Sequence, residues 1–252
     1  MIVESIKTRL LVPPKDDLLS AIFDSIPALP EKSVLAVTSK VVSIWQGRCV
    51  SASSVVDKDE LIKKEADRYL PRGFASNRLV MHTEKNGFFI PTAGIDESNA
   101  DGYYILWPEH PGRLAEEIRA ACMKHYGVSA LGVVVTDSHS VPRRRGTVGV
   151  SLGHAGFAPL HDYRETPDLF GRILKITMLN VADSIASAAV LAMGEGTERT
   201  PLALLSGVPF VDFEHGESDK KYGSFEVPKD EDLYAPFFES APWEEGEGGL
   251  RI

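Results

Sequence analysis

The sequence predicts an α/β protein, with mixed sheets covered by helices. Three observations carry this expectation. Short apolar runs end in small polar or acidic residues, as buried strands do. Between them lie segments with helical spacing of apolar residues. The 252 residues are 43% hydrophobic and 25% charged, an ordinary globular balance that can bury a sizeable core.

The first helix is expected over Asp16 to Phe23, stopping before Pro27. A strand at Val34–Val37 runs into Thr38-Ser39-Lys40. Asp59 to Tyr69 reads as a charged amphipathic helix. A second strand, Phe88–Ile90, leads into Pro91 to Asn99 and includes Asp96 in that turn. Pro111 to Tyr126 places Leu114, Ile118, Cys122 and Met123 on one helical face, and Gly127 is set to end it. A third strand, Leu131–Val135, runs into Thr136-Asp137-Ser138. Met178 to Met193 is crowded with Ala and Ser, so a neighbouring backbone can approach closely and the helix is expected to be central. Gly194 would terminate it, leaving Glu195 at the head of a polar turn to Thr200. From about Phe213 the chain turns acidic and aromatic. Its acidic end is expected to be mobile, while Tyr234, Phe237, Phe238 and Trp243 pack on the body or on a second subunit.

Composition excludes several classes. Acidic residues outnumber basic ones 36 to 27, for a net charge of -9, which disfavours nucleic acid as the partner. Two cysteines, Cys49 and Cys122, fit neither a disulfide framework nor a metal spacing, as expected for a reducing cytoplasm. No run approaches the roughly 18 apolar residues of a membrane span, and the N-terminus lacks signal-peptide features. The Walker, dinucleotide, zinc-protease, Cys-x-x-Cys and serine-elbow motifs are all missing.

What remains is a set of oxygen and guanidinium groups. Strand ends in α/β sheets are where ligands gather, and three such ends could converge on one site. Asp96, Asp137, Ser138 and Glu195 would suit magnesium or manganese, which prefer oxygen donors and lean on substrate phosphates. Taken singly, Asp96 and Asp137 read equally as caps of loops or helices. Arg143, Arg144 and Arg145 precede Gly146-Thr-Val-Gly149 and could grip an anion, or form a solvated basic turn. Lys40 could neutralise a phosphate or be a plain surface lysine. His139 is two residues from Asp137; His154 and His161 read as packing or surface residues.

Together these segments resemble the coenzyme F420-0:gamma-glutamyl ligase family. The matching pieces are Gly47-Arg48, Ala93-Gly-Ile-Asp96-Glu-Ser-Asn99 and Val134-Val-Thr-Asp137-Ser138. They continue through Arg144-Arg-Gly-Thr-Val-Gly149, Asp168-Leu-Phe-Gly-Arg172, Val181-Ala-Asp183 and Leu191-Ala-Met-Gly-Glu-Gly196. The resemblance spans a domain of residues 1–212 and leaves 213–252 as a divergent tail.

The resemblance implies a cytoplasmic, GTP-dependent amide ligase that joins L-glutamate to the terminal carboxylate of F420-0 or a related acceptor through an acyl phosphate. It implies magnesium or manganese, supporting potassium, and an intertwined homodimer of an unusual α/β fold. By motif position Asp96, Asp137, Ser138 and Glu195 resemble the metal ligands. Leu10, Leu11, Val12, Pro13, Ser39, Lys40 and Asn99 resemble nucleotide contacts, with the turn Met193, Gly194, Glu195, Gly196, Thr197, Glu198, Arg199 and Thr200. Arg144 and Arg145 take the anion-binding, catalytic role.

Besides its long acidic tail, the chain departs from the family pattern at three places. Ile44 replaces a lysine, His139-Ser140-Val141 with Pro142-Arg143 replaces an Asn-Gly-Arg run, and the Pro13-Pro14 start differs. These leave room for altered nucleotide or acceptor specificity, for a catalytically silent binding homologue, or for another phosphoryl-transfer enzyme on the same scaffold.

Overall fold

A computed structural model describes residues 1–75, 78–214 and 225–249. In chain order the elements begin with β1 (Ile2–Ile6), α1 (Leu18–Ser25), β2 (Ser33–Thr38), α2 (Ser39–Gln46), β3 (Cys49–Ser51) and α3 (Lys58–Glu65). Next come β4 (Arg68–Leu70), β5 (His82–Lys85), β6 (Phe88–Pro91), β7 (Tyr103–Ile105), α4 (Pro111–Tyr126), β8 (Leu131–Ser140) and β9 (Thr147–Ala155). The last are β10 (Leu160–Asp162), β11 (Met178–Asn180), α5 (Val181–Met193), β12 (Leu202–Ser206), α6 (Ala235–Phe238) and β13 (Glu244–Glu245). This is the mixed α/β architecture the sequence predicts. No described helix is long and apolar enough to cross a membrane.

The chain divides into two compact units. The first comprises Met1–Leu11, Asp17–Val42 and the described part of Glu109–Phe225; the second comprises Val12–Asp16, Ser43–Pro108 and the described part of Glu226–Ile252. This division differs from a boundary at 212: Phe213 packs on the core of the first unit, and 226–249 belong to the second.

The first unit is built on a five-stranded sheet in the order β1-β12-β2-β8-β9. Strands β2 and β8 are parallel, with Val34–Val37 opposite Gly132–Val135; the other pairings are antiparallel. Helix α5 buries Val181, Ala182, Ile185, Ala186, Ala189, Val190 and Met193 against this sheet, as its small residues predict. The approach is close enough that a Cβ on Gly149 would lie 2.3 Å from the Ala186 carbonyl oxygen, so only glycine fits there. Helix α4 covers the other face, since a Cβ on Gly153 would meet the backbone of Pro111 and Gly112. It buries Leu114, Ala115, Ile118 and Cys122, while Met123 is only half-buried.

Three strand-bearing segments differ from expectation. The third strand does not end at Val135 but runs on to Ser140, because β9 supplies a partner for every residue from Thr136. The stretch from Met178 begins as strand β11, and the helix starts only at Val181, where the Asn180 side chain accepts from the Asp183 N–H. The Phe88–Ile90 strand belongs to a different sheet, so the three strand ends do not share one edge.

The second unit holds that four-stranded sheet, in the order β13-β4-β5-β6, and the small β3-β7 pair. The helix expected to reach Tyr69 stops at Glu65. Arg68–Leu70 pair with His82–Glu84 instead, and tertiary strand pairing overrides helical propensity. Glu65 is fully buried between two equally buried cations, with Arg48 Nη2 at 2.8 Å and Lys85 Nζ at 2.5 Å. Contrary to a mobile acidic end, Glu244–Gly249 dock on this unit. Gly246, Glu247 and Gly248 donate backbone N–H groups to the carbonyls of Asp67, Lys63 and Ala66. Trp243 packs edge-on to Phe89 and lies beneath the Arg68 guanidinium, which also bonds Glu84 and Glu239.

Two measurements check this account. Glu65→Gln leaves two buried cations without their carboxylate and should cost about 3–5 kcal/mol, read as a lower urea midpoint. The second concerns His154, which is buried in the first unit beside Phe157 and Phe225, and burial lowers its pKa from the ordinary 6.5 to about 4. Within that window the unfolded chain binds the proton and the folded chain does not. Stability should therefore fall by about 3 kcal/mol as pH drops from 6.5 towards 4, and His154→Phe should flatten that slope.

Candidate functional site

In the first unit the site forms at the carboxyl end of the parallel pair β2–β8. The register sets Thr38 opposite Thr136, so Ser39 and Lys40, which open α2, follow directly at the level where β8 presents Asp137 and Ser138. Ser39 is buried and Lys40 half-buried.

Strand alternation sorts the candidate ligands. Ser138 pairs with Gly149, whose missing Cβ faces α5, so Ser138 points to the α5 side. Its hydroxyl donates to Glu195 Oε1 at 2.5 Å. Thr147 Oγ1 lies 3.5 Å from the same carboxylate oxygen. Asp137, one residue earlier on the strand, alternates to the other face of β8. Burial holds the His139 imidazole below its usual pKa, opposed by the charge of Asp183, so it is neutral at pH 7. The expected ligand set is thus divided by the sheet. Ser138 and Glu195 meet, and Asp137 faces away from them.

The turn after α5 is tied down at both ends. Gly194 ends the helix, its N–H bonded to the Val190 carbonyl. The Glu198 carboxylate accepts from the Gly196 N–H at 2.8 Å, and the Thr200 hydroxyl donates to the Met193 carbonyl at 2.5 Å. The Arg199 carbonyl accepts from Thr8 N–H, and the Pro201 carbonyl from Thr38 N–H. These bonds hold residues 193–200 beside the ends of β1 and β2, with exposed Leu10 and buried Leu11 just beyond Thr8.

Strands β8 and β9 form a hairpin whose tip carries Arg143, Arg144 and Arg145, all exposed. Arg144 N–H closes the turn on the Val141 carbonyl. None of the three guanidiniums has an ion-pair partner among the described residues.

The remaining candidates belong to the second unit. Asp96 pairs its backbone with Ile105 in both directions, and its Oδ1 accepts from Ser98 N–H at 2.7 Å. Exposed Asn99 follows on the same loop. The loop is entered through three consecutive left-handed residues, Thr92, Ala93 and Gly94. Thr83 Oγ1 anchors them by accepting from Ala93 N–H at 2.8 Å. Val12 donates its N–H to Asp16, and buried Pro13 precedes Pro14 through a cis peptide. Ile44, where the family pattern has lysine, is buried with Ala100 and Ile105.

Among the described residues no three His, Cys, Asp or Glu side chains come together as a metal cluster. The donors that do converge, Ser138, Thr147 and Glu195, are one carboxylate and two hydroxyls. That set suits a hard cation whose coordination is completed by water and phosphate. Thr147 is the residue that sequence reasoning missed. Centring the hairpin between Arg143 and Arg144 would have found it, because it then falls opposite Ser140 on the face of Ser138.

The chain matches the family model described as F420-0:Gamma-glutamyl ligase over residues 5–207. It is 36% identical over 223 residues to the coenzyme F420:L-glutamate ligase of Methanopyrus kandleri, covering 82% of this chain and 86% of that protein. Similarity to the ligase of the same name from Methanococcus maripaludis is 30% over 218 residues, covering 80% and 86%. For the Methanocaldococcus jannaschii ligase it is 29% over 224 residues, covering 82% and 86%.

The Asp96 loop depends on Gly94. A Cβ there would lie 2.2 Å from Trp107 Nε1, at a φ of +71° that side chains resist. Gly94→Ala should destabilise the protein by about 2–4 kcal/mol and shift Trp107 fluorescence, measured by thermal and spectroscopic unfolding.

Proposed function

Because this chain belongs to the F420-0:gamma-glutamyl ligase family, we propose that it joins L-glutamate to the terminal carboxylate of coenzyme F420-0 or a related acidic acceptor, in the cytoplasm and with GTP as phosphoryl donor. The observation that carries this reading is the convergence of Ser138, Thr147 and Glu195 at the base of a hairpin whose tip holds three arginines without ion-pair partners among the described residues. Oxygen donors for a hard cation beside free guanidiniums suit a polyphosphate.

The chemistry requires no protein nucleophile. A carboxylate is a poor acyl donor because oxide leaves badly. Its oxygen attacks the γ-phosphorus of GTP, GDP departs with the bonding pair, and an acyl phosphate results. The neutral amine of glutamate then attacks the acyl carbon, phosphate leaves, and the amine proton passes to solvent. Both steps depend on positioning and charge neutralisation.

In this reading Ser138 and Glu195, with Thr147, would hold one divalent cation, while Asp137 and Asp96 are metal ligands by motif position alone. Magnesium or manganese bound there neutralises phosphate oxygens, and potassium supports the charge balance. Ser39 and Lys40 lie at the start of α2, where helix N–H groups and the lysine charge favour phosphate. By motif position Leu10, Leu11, Val12, Pro13, Asn99 and the turn from Met193 to Thr200 are the nucleotide contacts. Arg144 and Arg145 bind the transferring phosphate or the acceptor carboxylate, and Arg143 substitutes for the family guanidinium absent at Val141.

Mass spectrometry of F420-0 incubated with L-glutamate, manganese and either GTP or ATP tests this. A glutamyl-extended product with matching GDP and phosphate is expected with GTP. No product with any nucleotide, while nucleotide still binds, would identify a silent homologue. Arg144→Ala should slow ligation about 10- to 100-fold, the effect of losing charge-assisted bonds to an anion. Arg144→Lys should recover only part, since the paired donors are lost, and Lys124→Ala should change nothing.

A further inference from the structure

Beyond the stretch that matches the family lies Gly246-Glu-Gly-Gly249, to which the proposed reaction gives no role. In the second unit these residues sit against the C-terminal end of α3. An α-helix leaves its last four carbonyls without an intrahelical donor, and a left-handed glycine just past the end commonly supplies the cap. Helix α3 ends instead in extended Ala66, whose N–H reaches the Ile62 carbonyl. The other three carbonyls are met from outside the helix. Lys63 accepts from Glu247 N–H at 3.1 Å, Lys64 from Gly249 N–H at 2.8 Å, and Glu65 from Lys85 Nζ at 2.7 Å. The tail thus completes, from far along the chain, a cap that α3 does not make for itself. Glycine is what permits the approach. A Cβ on Gly246 would lie 2.0 Å from the Ala66 carbonyl oxygen, and Gly248 and Gly249 have φ of +75° and +128°.

Helix α3 in turn supports the loop that carries Asp96 and Asn99. Leu61 and Ile62 pack with Ala93 and Ile95 in one core cluster. In the first turn of the helix, Lys58 Nζ pairs with Glu97 at 3.0 Å, next to Asp96. In the last turn, Glu65 binds Arg48, whose Nε donates to the Trp107 carbonyl at 3.2 Å. The Trp107 ring closes over Gly94, at the entrance of the loop. We propose that Gly246–Gly249 are a positioning segment: by capping α3 they set that helix, and through it the Asp96–Asn99 loop, where the loop serves metal and nucleotide. The inference rests on the reading of Asp96 and Asn99 given above. No tail residue touches substrate in it. Without its cap the last turn of α3 frays, Glu65 loses its fixed place, and the grip on Arg48 and Trp107 loosens by local opening rather than by global unfolding.

Two readouts on the intact chain test this: amide hydrogen exchange by mass spectrometry, and manganese binding in the presence of GDP by the paramagnetic resonance of the free ion. Glu247 is exposed, so Glu247→Pro removes the donor to the Lys63 carbonyl, while Glu247→Ala keeps it. Gly246→Ala forces the tail away through its Cβ. Glu247→Pro and Gly246→Ala should each speed exchange in residues 92–107 by about 3- to 10-fold, the weight of one hydrogen bond, and weaken at least one manganese site by a similar factor. Glu247→Ala should match the wild type, and residues 131–135 of the first unit should exchange as before in every variant. Unchanged exchange in 92–107 overturns the proposal. An equal gain in 131–135 also overturns it, because that marks general destabilisation. Faster exchange in 92–107 with unchanged manganese affinity sustains the cap and overturns the reading of Asp96 as a metal ligand. Should Gly246→Ala fail to fold, the contrast of Glu247→Pro with Glu247→Ala decides alone.

Discussion

The alternation of side chains along β8 governs both the core of the first unit and its chemistry. Val134 faces α5 and Val135 faces the α4 side, and the same two-residue period continues past the apolar stretch into Thr136, Asp137, Ser138 and His139. The strand persists this far because β9 pairs with it to Ser140. Neighbouring polar residues are therefore delivered to opposite faces of one sheet. Ser138 finds Glu195, and Asp137 alternates away from that face.

Close approach of α5 reinforces that geometry. Ala186 lies against Gly149 with no room for a side chain, and Ser187 Oγ donates to the Gly149 carbonyl. The helix end is thereby set so that Glu195 reaches the hydroxyls of β8 and β9. Bonds from Thr8 and Thr38 to the following turn hold it there. A backbone fixed at both ends presents its carboxylate with little conformational freedom left to lose on binding phosphate.

The second unit is organised by different forces. Glu65 holds two buried cations, an arrangement that adds little over apolar packing yet is costly to break. The left-handed run Thr92–Gly94 is a local strain that Thr83 and Trp107 enforce, and it leads directly to Asp96. Residues 243–249, beyond the stretch that matches the family, add an edge strand and shield Phe89 through Trp243.

The sequence by itself determined the α/β class, the two long helices and their carboxyl ends, and two of the polar residues that meet, Ser138 and Glu195. Each of these is local, set by apolar periodicity, by Gly127 and Gly194, and by motif spacing. It also carried the family, because short specific segments keep their order over most of the chain. Tertiary structure decided which of those residues share a face, where the helix after Lys58 yields to strand β4, and where the tail lies. Those outcomes depend on pairing between segments far apart in the chain. Thr147 joins Ser138 and Glu195 only through the hairpin register and the seating of α5, and no periodicity along the chain encodes either.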